Sequence, residues 1–568
     1  MLRSRRWTFA LLLLAAMASA VQVQSASREP VRARRGMVGS TDEHASRAGL
    51  QVLQQGGNAV DAAVAVGFAL AVTHPAAGNI GGGGFMVIRM ADGRETSIDY
   101  RELAPSRAHR DMFLDPAGEP VAARSRVGAL ASGVPGSVAG MAFAQKRYGR
   151  LALAAVMAPA IALARNGIPV SWSLSDSLKG AKHLLSQFPS SARVFLKPDG
   201  SALSPDDRLV QPELAHTLEL IAAQGPDAFY KGPIADLIAA EMERSGGLIS
   251  KADLAAYVPR ERAPITGTFR GHRVVSMPPP SSGGVALVQL LNVLEGFPLS
   301  DYGHNSSRTI HLVAEAARRV YADRSEWLGD PEFFDVPVAG LLSRRYAERV
   351  RNGISETRAT PSRDVKPGQP RGLEHSETTH YSVVDADGNA VATTTTLNGS
   401  YGNGQTVTGA GFLLNNEMDD FSAKPGSPNM FGLVGGEANA VAPGKRMLSS
   451  MTPTILVKDG KTRLVVGSPG GSRIITTVLQ VVLNVVEFKM DVQEAVDAPR
   501  FHHQWLPDVI RLERQGFPTD VVTALEAMGH ATEAGPDMGD VHAIMIDPAT
   551  GVRLGASDPR LEGVTVGY

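Results

Sequence analysis

The chain has 568 residues, 43% hydrophobic and 20% charged, enough apolar material for a large core and too much for wholesale disorder. Lys and Arg number 56 against 57 Asp and Glu, a formal charge of −1, which lacks the basic excess of chains that grip nucleic acid or anionic membranes. Cysteine is absent, which excludes disulfides, thiolate nucleophiles, iron–sulfur clusters and cysteine-ligated zinc.

The chain opens with Arg3, Arg5 and Arg6, an apolar run from Trp7 to Met17, and the small-residue triplet Ala18-Ser19-Ala20. That order predicts a secretory signal over 1–20. The run is too short to span a bilayer. Ser4-Arg5-Arg6 hints at a twin-arginine signal and leaves the export route open. No later stretch approaches 18 apolar residues, so a soluble mature protein with no membrane partner is expected, in a bacterial periplasm or secreted.

Helices are predicted over 42–56, capped by Thr41-Asp42, and over 59–72. Gly81–Gly84 leads into a strand at Phe85–Met90, which turns at Asp92-Gly93 and returns as Glu95–Arg101. Helical periodicity recurs at about 137–148, 152–165, 213–223, 233–245, 285–296 and 307–324. Residues 352–377 are polar and dotted with Pro361, Pro367 and Pro370, the composition of an exposed linker. Strands Thr378–Val384 and Val391–Leu397 follow, joined by Asp387-Gly388-Asn389. A hairpin at Ile455–Val457 and Arg463–Val466, a long apolar helix at 473–487 and a last hairpin at Ala543–Ile546 and Val552–Leu554 complete the pattern. Helices interleaved with hairpins predict a layered α/β fold with stacked antiparallel sheets, not a parallel doubly wound one.

Three groups of residues bear on chemistry. The first is Thr378, Thr379 and Thr393–Thr396. Threonine favours strands, so by spacing alone the group reads first as an ordinary β face. Thr378, however, begins a strand directly after the linker. If the chain were cut before it, the new α-amino group, titrating near about 7.7–8.0, would serve as the base that a threonine hydroxyl needs. Before the cut, the same hydroxyl can attack the carbonyl of Glu377 through a five-membered ring. The second group, Gly467-Ser468-Pro469-Gly470-Gly471-Ser472, precedes a helix, where backbone amides can hold an oxyanion, or form a plain turn. It lacks both the P-loop ending and the Gly-x-Ser-x-Gly elbow. The third is Arg101, Glu417, Asp420 and Ser449-Ser450, each of which alone reads as a solvated or capping residue. The 14 histidines show no ligand spacing, and neighbours such as His502-His503 point to opposite faces of a strand. No metal is expected.

The run from Thr378-Thr379-His380-Tyr381-Ser382 through Thr394–Asn398 to Tyr401-Gly402 resembles the small-subunit signature of the γ-glutamyltranspeptidases. Leu130–Gly136, Met277–Gly284, Leu448–Thr454, Gly467–Arg473 and Ala556–Arg560 resemble further segments of that family, in the family's order, from about residue 36 to the C-terminus. The resemblance implies a four-layer αββα N-terminal nucleophile hydrolase, made as a precursor that cuts itself between Glu377 and Thr378. It implies a large subunit over 21–377 and a small subunit over 378–568, associated as a heterodimer, with no cofactor. Thr378 matches the nucleophile, which takes the γ-glutamyl group of glutathione or another γ-glutamyl amide as an ester. Water or an amino-acid or peptide amine then accepts it. Thr396 matches the threonine that hydrogen-bonds the nucleophile, and Gly470 and Gly471 match the oxyanion hole. Arg101, Ser449 and Ser450 match the grip on the substrate α-carboxylate. Asn398, Glu417 and Asp420 match the residues around its α-ammonium. Phe431 stands in the lid segment, about 425–440, where many members carry a tyrosine that bonds the asparagine numbered Asn398 here. Two other readings stay open: a glutaryl-cephalosporin-type acylase on the same fold, and an exported protein that binds γ-glutamyl peptides without turnover.

Overall fold

A computed structural model describes residues 27–367 and 379–568, apart from Pro425, Leu433 and Gly435. The predicted signal over 1–20 and the residues Glu377 and Thr378 lie outside the described residues. Among the described residues, no helix is long and apolar enough to cross a membrane.

The elements that frame the molecule run in chain order. Strands β1 (Val31–Ala33) and β2 (Met37–Ser40) precede helices α1 (Glu43–Gln54) and α2 (Ala59–Thr73). A hairpin, β3 (Gly83–Arg89) and β4 (Glu95–Asp99), is followed by α3 (Ser137–Tyr148) and α4 (Leu153–Asn166). Then come β5 (Arg260–Arg262), β6 (Ile265–Phe269), β7 (His272–Ser276), α5 (Gly283–Leu294) and α6 (Ser307–Trp327). Next are β8 (Thr379–Val384), β9 (Ala390–Thr396), β10 (Thr454–Lys458), β11 (Lys461–Val466) and α7 (Arg473–Val486). The chain ends with β12 (His542–Ile546), β13 (Arg553–Ser557) and β14 (Val564–Gly567).

Two seven-stranded sheets carry the fold, ordered β14-β2-β8-β9-β3-β4-β5 and β1-β13-β12-β11-β10-β7-β6. Neighbours within both pair antiparallel. Alternation along β3 shows how they stack, because successive side chains point to opposite faces. Met86 and Ile88 join a core with α1–α4, whereas Phe85 and Val87 join one built from β7, β10, β11, α5, α6 and α7. The order of layers is therefore helices, first sheet, second sheet, helices: the expected αββα sandwich. Being covered on both faces explains why all seven residues of β3 and all seven of β9 are buried.

Local chemistry sets the ends of the elements. Asn58 and Asp61 form a reciprocal capping box on α2, whose fifteen residues are all buried. Asp42 caps α1 by accepting from Ala45 N at 3.0 Å. The predicted helices and hairpins recur with ends shifted by a few residues. The linker differs more. In its described part, 352–367, Ser362 and Val365 are buried, at 1% and 7% exposure. Ser362 N donates to Asp508 Oδ2 at 2.6 Å, and Trp505 Nε1 donates to Ser362 O at 3.0 Å. A single 3₁₀ turn, Ser362–Asp364, has no periodicity to betray that packing. A small sheet of Phe501–His502, Ile510–Glu513 and Thr532–Gly535, with one parallel pair, adds an element the pattern did not predict.

Candidate active site

β8 and β9 lie at the centre of the first sheet, in the register Thr379↔Thr395 and His380↔Thr394. β9 pairs onward with β3, Thr396 facing Gly83. Thr379, the first described residue after the gap, is 1% exposed, and its hydroxyl has no hydrogen-bond partner. Asn79 clamps the end of β9, its Nδ2 donating to Thr396 O at 2.6 Å. Thr396 Oγ1 accepts from Asn398 N at 2.7 Å. Asn398 sits at φ +75°, a left-handed backbone that Asn tolerates better than most residues, and its Nδ2 donates to Asn416 O at 3.0 Å. This geometry brings Thr396 and Asn398 to the same strand end as Thr379.

Gly470 and Gly471 lie just before α7, at φ +131° and +60°, where an L side chain would strain the backbone. Their carbonyls accept from Arg473 N and Ile474 N at the start of the helix. The two N–H groups precede the helix and have no place in its own bonding ladder. They are the type of donor that a developing oxyanion requires.

Arg101 follows β4 and is fully buried. Its Nε donates to Met447 O at 3.1 Å and its Nη2 to Leu448 O at 3.0 Å. The 3₁₀ turn Glu417–Asp420 brings two carboxylates to the guanidinium, Glu417 on Nη1 and Asp420 on Nη2. Burial disfavours the charge on Arg101, but Glu417 and Asp420 outweigh it and raise its pKa. Burial likewise pushes Glu417 up, against the pull of Arg101. The sequence reading placed Arg101 against a ligand carboxylate and the acids against an ammonium; the structure places the three side chains against one another.

Ser449 and Ser450 follow directly on the two carbonyls that Arg101 holds. Ser449 Oγ accepts from Met451 N at 3.1 Å, and Ser450 Oγ accepts from Arg324. Phe431 is half-buried against the second core, its carbonyl 3.4 Å from Gln504 Nε2. The side chain that reaches Asn398 is its neighbour Met430, with Sδ 3.8 Å from Asn398 Nδ2.

Two residues escaped the sequence reading. Glu102 is fully buried 3.7 Å from Arg101 Nη1, and neither of its carboxyl oxygens has a hydrogen-bond partner. Burial, then the charge of Glu417, raises its pKa well above the usual carboxylate range, so it is held neutral. Arg324, on α6, is 1% exposed and ties Ser282 to Ser450, its Nε donating to Ser282 Oγ at 2.9 Å. Among the described residues, no group of three or more His, Asp or Glu could hold a metal ion.

Comparison with known proteins gives this geometry its context. The family model described as gamma-glutamyltranspeptidase matches residues 45–568. The glutathione hydrolase proenzyme of Escherichia coli (strain K12) is 54% identical over 541 residues, covering 95% of this chain and 93% of that protein. The crystal structure of a cephalosporin acylase from Bacillus halodurans aligns over 97% of this chain and 99% of its own, with a TM-score of 0.85 and 30% identity. A solved chain of the Helicobacter pylori gamma-glutamyltranspeptidase, 45% identical, aligns over 97% of its own length but 61% of this chain, with a TM-score of 0.58.

Proposed function

The chain belongs to the γ-glutamyltranspeptidase family and is an enzyme, a γ-glutamyltransferase and glutathione hydrolase; from that premise we propose how its own residues perform the reaction. The observation that carries the reading is the buried Arg101 held between Glu417 and Asp420. A γ-glutamyl group ends in a carboxylate and an ammonium on one carbon. One guanidinium beside two carboxylates offers each of them an opposite charge, and Arg is the side chain suited to gripping a carboxylate.

Maturation comes first. The Thr378 hydroxyl attacks the carbonyl carbon of Glu377, the C–N bond breaks, and the acyl group passes to oxygen as an ester. Water hydrolyses that ester, leaving a carboxylate on Glu377 and a free α-amine on Thr378. The products are a large subunit, 21–377, and a small one, 378–568, which stay together as a heterodimer. The Helicobacter pylori chain, which aligns with only 61% of this one, supports such a division. The signal-like start supports export to the periplasm or beyond.

In catalysis the α-amine takes the proton of the Thr378 hydroxyl as its oxygen attacks the γ-carbonyl. Thr396 holds that hydroxyl, and the N–H groups of Gly470 and Gly471 receive the oxyanion. Arg101, Ser449 and Ser450 fix the α-carboxylate; Asn398, Glu417 and Asp420 face the α-ammonium. The departing amine takes up the proton. Water or an acceptor amine then attacks the ester and returns the enzyme.

The glutaryl reading is tested by donor choice. A glutaryl group has the carboxylate but not the ammonium, so turnover of γ-glutamyl anilide is expected to exceed that of glutaryl anilide by about tenfold or more, a charge-assisted bond's worth. Equal turnover, or a preference for glutaryl, would favour the acylase.

The lid gives a smaller effect. The family pattern has at this position a tyrosine that bonds the asparagine; Phe431→Tyr restores that hydroxyl, where the described chain sets Met430 sulfur against Asn398. Phe431→Tyr is expected to shield the ester from water and raise transfer relative to hydrolysis about two- to tenfold, the worth of one net hydrogen bond. Product ratios by chromatography check this; an unchanged ratio sinks it.

A further inference from the structure

A cavity of about 570 Å³ opens beside the catalytic strand, its inner wall including Thr379, Asn398 and Pro469. It therefore borders both the strand end next to Thr378 and the turn at Gly470-Gly471. Its remaining walls come from the start of α1, the end of α2, the segment 168–177 and the loops before β12 and β14. The charges here contrast with the Arg101 pocket. Asp42, Glu43, Asp540 and Glu562 line it, and among the described residues no Lys or Arg does. Two of the four carboxylates serve α1 itself: Asp42 caps it, and Glu43 pairs with Arg47. Glu562 is exposed and, among the described residues, accepts only from Ser173 N, at 3.2 Å.

Asp540 is the unusual member. It is 1% exposed, and its Oδ2 meets His542 Nε2 at 3.0 Å, while Oδ1 has no hydrogen-bond partner. Burial raises its pKa, but His542 and other neighbours outweigh that and hold it below the usual value, so the carboxyl is ionised. The Thr73 hydroxyl on the same wall, 4% exposed, also has no partner, as does that of Thr379. An ionised carboxylate with one oxygen unsatisfied, and two idle hydroxyls around one cavity, are unmet polar groups of the kind that folded proteins otherwise satisfy. His74 on the same wall is kept neutral by burial, against the pull of Asp540 and Asp42, and so presents a ring nitrogen that can accept.

We propose that this cavity is the amine-side subsite, binding a cationic side chain of an amino-acid or peptide acceptor through Asp540 and Glu562 while the acceptor's α-amine attacks the ester in its neutral form, and favouring cationic acceptors over anionic ones. The inference rests on the transferase reading above and deepens it. The γ-glutamyl end is held at Arg101, and the other side of the scissile amide requires a site of its own. An acidic cavity next to the nucleophile strand supplies one with the opposite charge preference.

The test uses the mature two-chain enzyme, γ-glutamyl anilide as donor, and lysine amide, glycylglycine and glutamate as acceptors. Anilide release without acceptor is read in parallel as hydrolysis. The wild type is expected to prefer lysine amide to glutamate. Glu562→Lys, an exposed change, is expected to raise the KM for lysine amide about two- to fivefold and to narrow that preference, the range of a surface ion pair. Asp540→Asn, verified as folded by its melting temperature, is expected to raise it about tenfold or more, as for a buried charged bond. An acceptor preference unchanged in both variants, with hydrolysis still measurable, overturns the subsite and leaves the transferase reading standing. A wild type that releases no aniline from the γ-glutamyl donor overturns that reading, and the subsite with it.

Discussion

Intact mass spectrometry of the purified protein is expected to show two polypeptides, and of a Thr378→Ala variant only one. Cleavage between Glu377 and Thr378 would divide the 60.0 kDa chain so that the smaller piece is about a third of the total. Its first residue, by N-terminal sequencing, should be Thr378. The reason is chemical. A hydroxyl on the residue after the scissile bond reaches the preceding carbonyl through a five-membered ring, and alanine has none. The surroundings favour the same hydroxyl later. Thr396 and Asn398 meet at the neighbouring strand end, and the Gly470 and Gly471 amides precede a helix. Because one oxygen serves both steps, Thr378→Ala should abolish γ-glutamyl anilide turnover as well, a loss on the order of 10⁴-fold or more. Thr378→Ser, which keeps the hydroxyl, should still cut, and separates chemistry from disturbed folding. A wild-type chain that stays whole under every condition and leaves γ-glutamyl anilide intact would revive the binding-protein reading.

The helices and hairpins were legible because the sandwich imposes simple periods. The two-sided burial of β3 produces the apolar run Phe85–Ile88, and the hairpin β8–β9 carries its own turn, Asp387-Gly388-Asn389. The strands' assignment to sheets was not legible. β14, at the far end of the chain, pairs with β2, and β10 inserts between β7 and β11. Long-range pairing leaves no local signal. The helix Trp172–Leu185 had one, the cap at Ser171, which accepts from Leu174 N, but most of its residues stay partly exposed and its apolar stripe is thin.

The site divides the same way. Thr396, Asn398, Gly470 and Gly471 sit in short motifs whose geometry is local: a strand end and a turn before a helix. Glu102 matters through burial beside Arg101 and the charge of Glu417, far along the chain, and Arg324 through Ser282 and Ser450, 42 and 126 positions away; in sequence both look like surface charges. Arg324 lies in Ala322-Asp323-Arg324-Ser325-Glu326, a segment with the composition of a solvated helix, yet its guanidinium spans Ser282 and Ser450. The cost of a buried charge reveals a partner only when the fold is known.

That cost makes Arg101 the second large prediction. Arg101→Gln removes the guanidinium and leaves Glu417 and Asp420 buried with neutral Glu102 beside them and no cation. Breaking a buried pair in this way typically costs about 3–5 kcal/mol. Separately, losing the charged grip on the substrate carboxylate should lower kcat/KM for γ-glutamyl anilide by about 10²–10³, with KM rising, because the lost contact is to the part of the substrate that does not react. Arg101→Lys keeps the charge but not the fork that also holds Met447 O and Leu448 O, and is expected to recover only part of the loss. The comparison that assigns the roles uses two donors. Both γ-glutamyl and glutaryl anilides carry the carboxylate, so Arg101→Gln should weaken both. Asp420→Asn should penalise the γ-glutamyl donor selectively, since only that donor brings an ammonium. If Arg101→Gln left the KM for both donors unchanged, the guanidinium would hold the Glu417–Asp420 turn in place and nothing else, and the carboxylate grip would have to fall to Ser449, Ser450 and the Arg324 behind them.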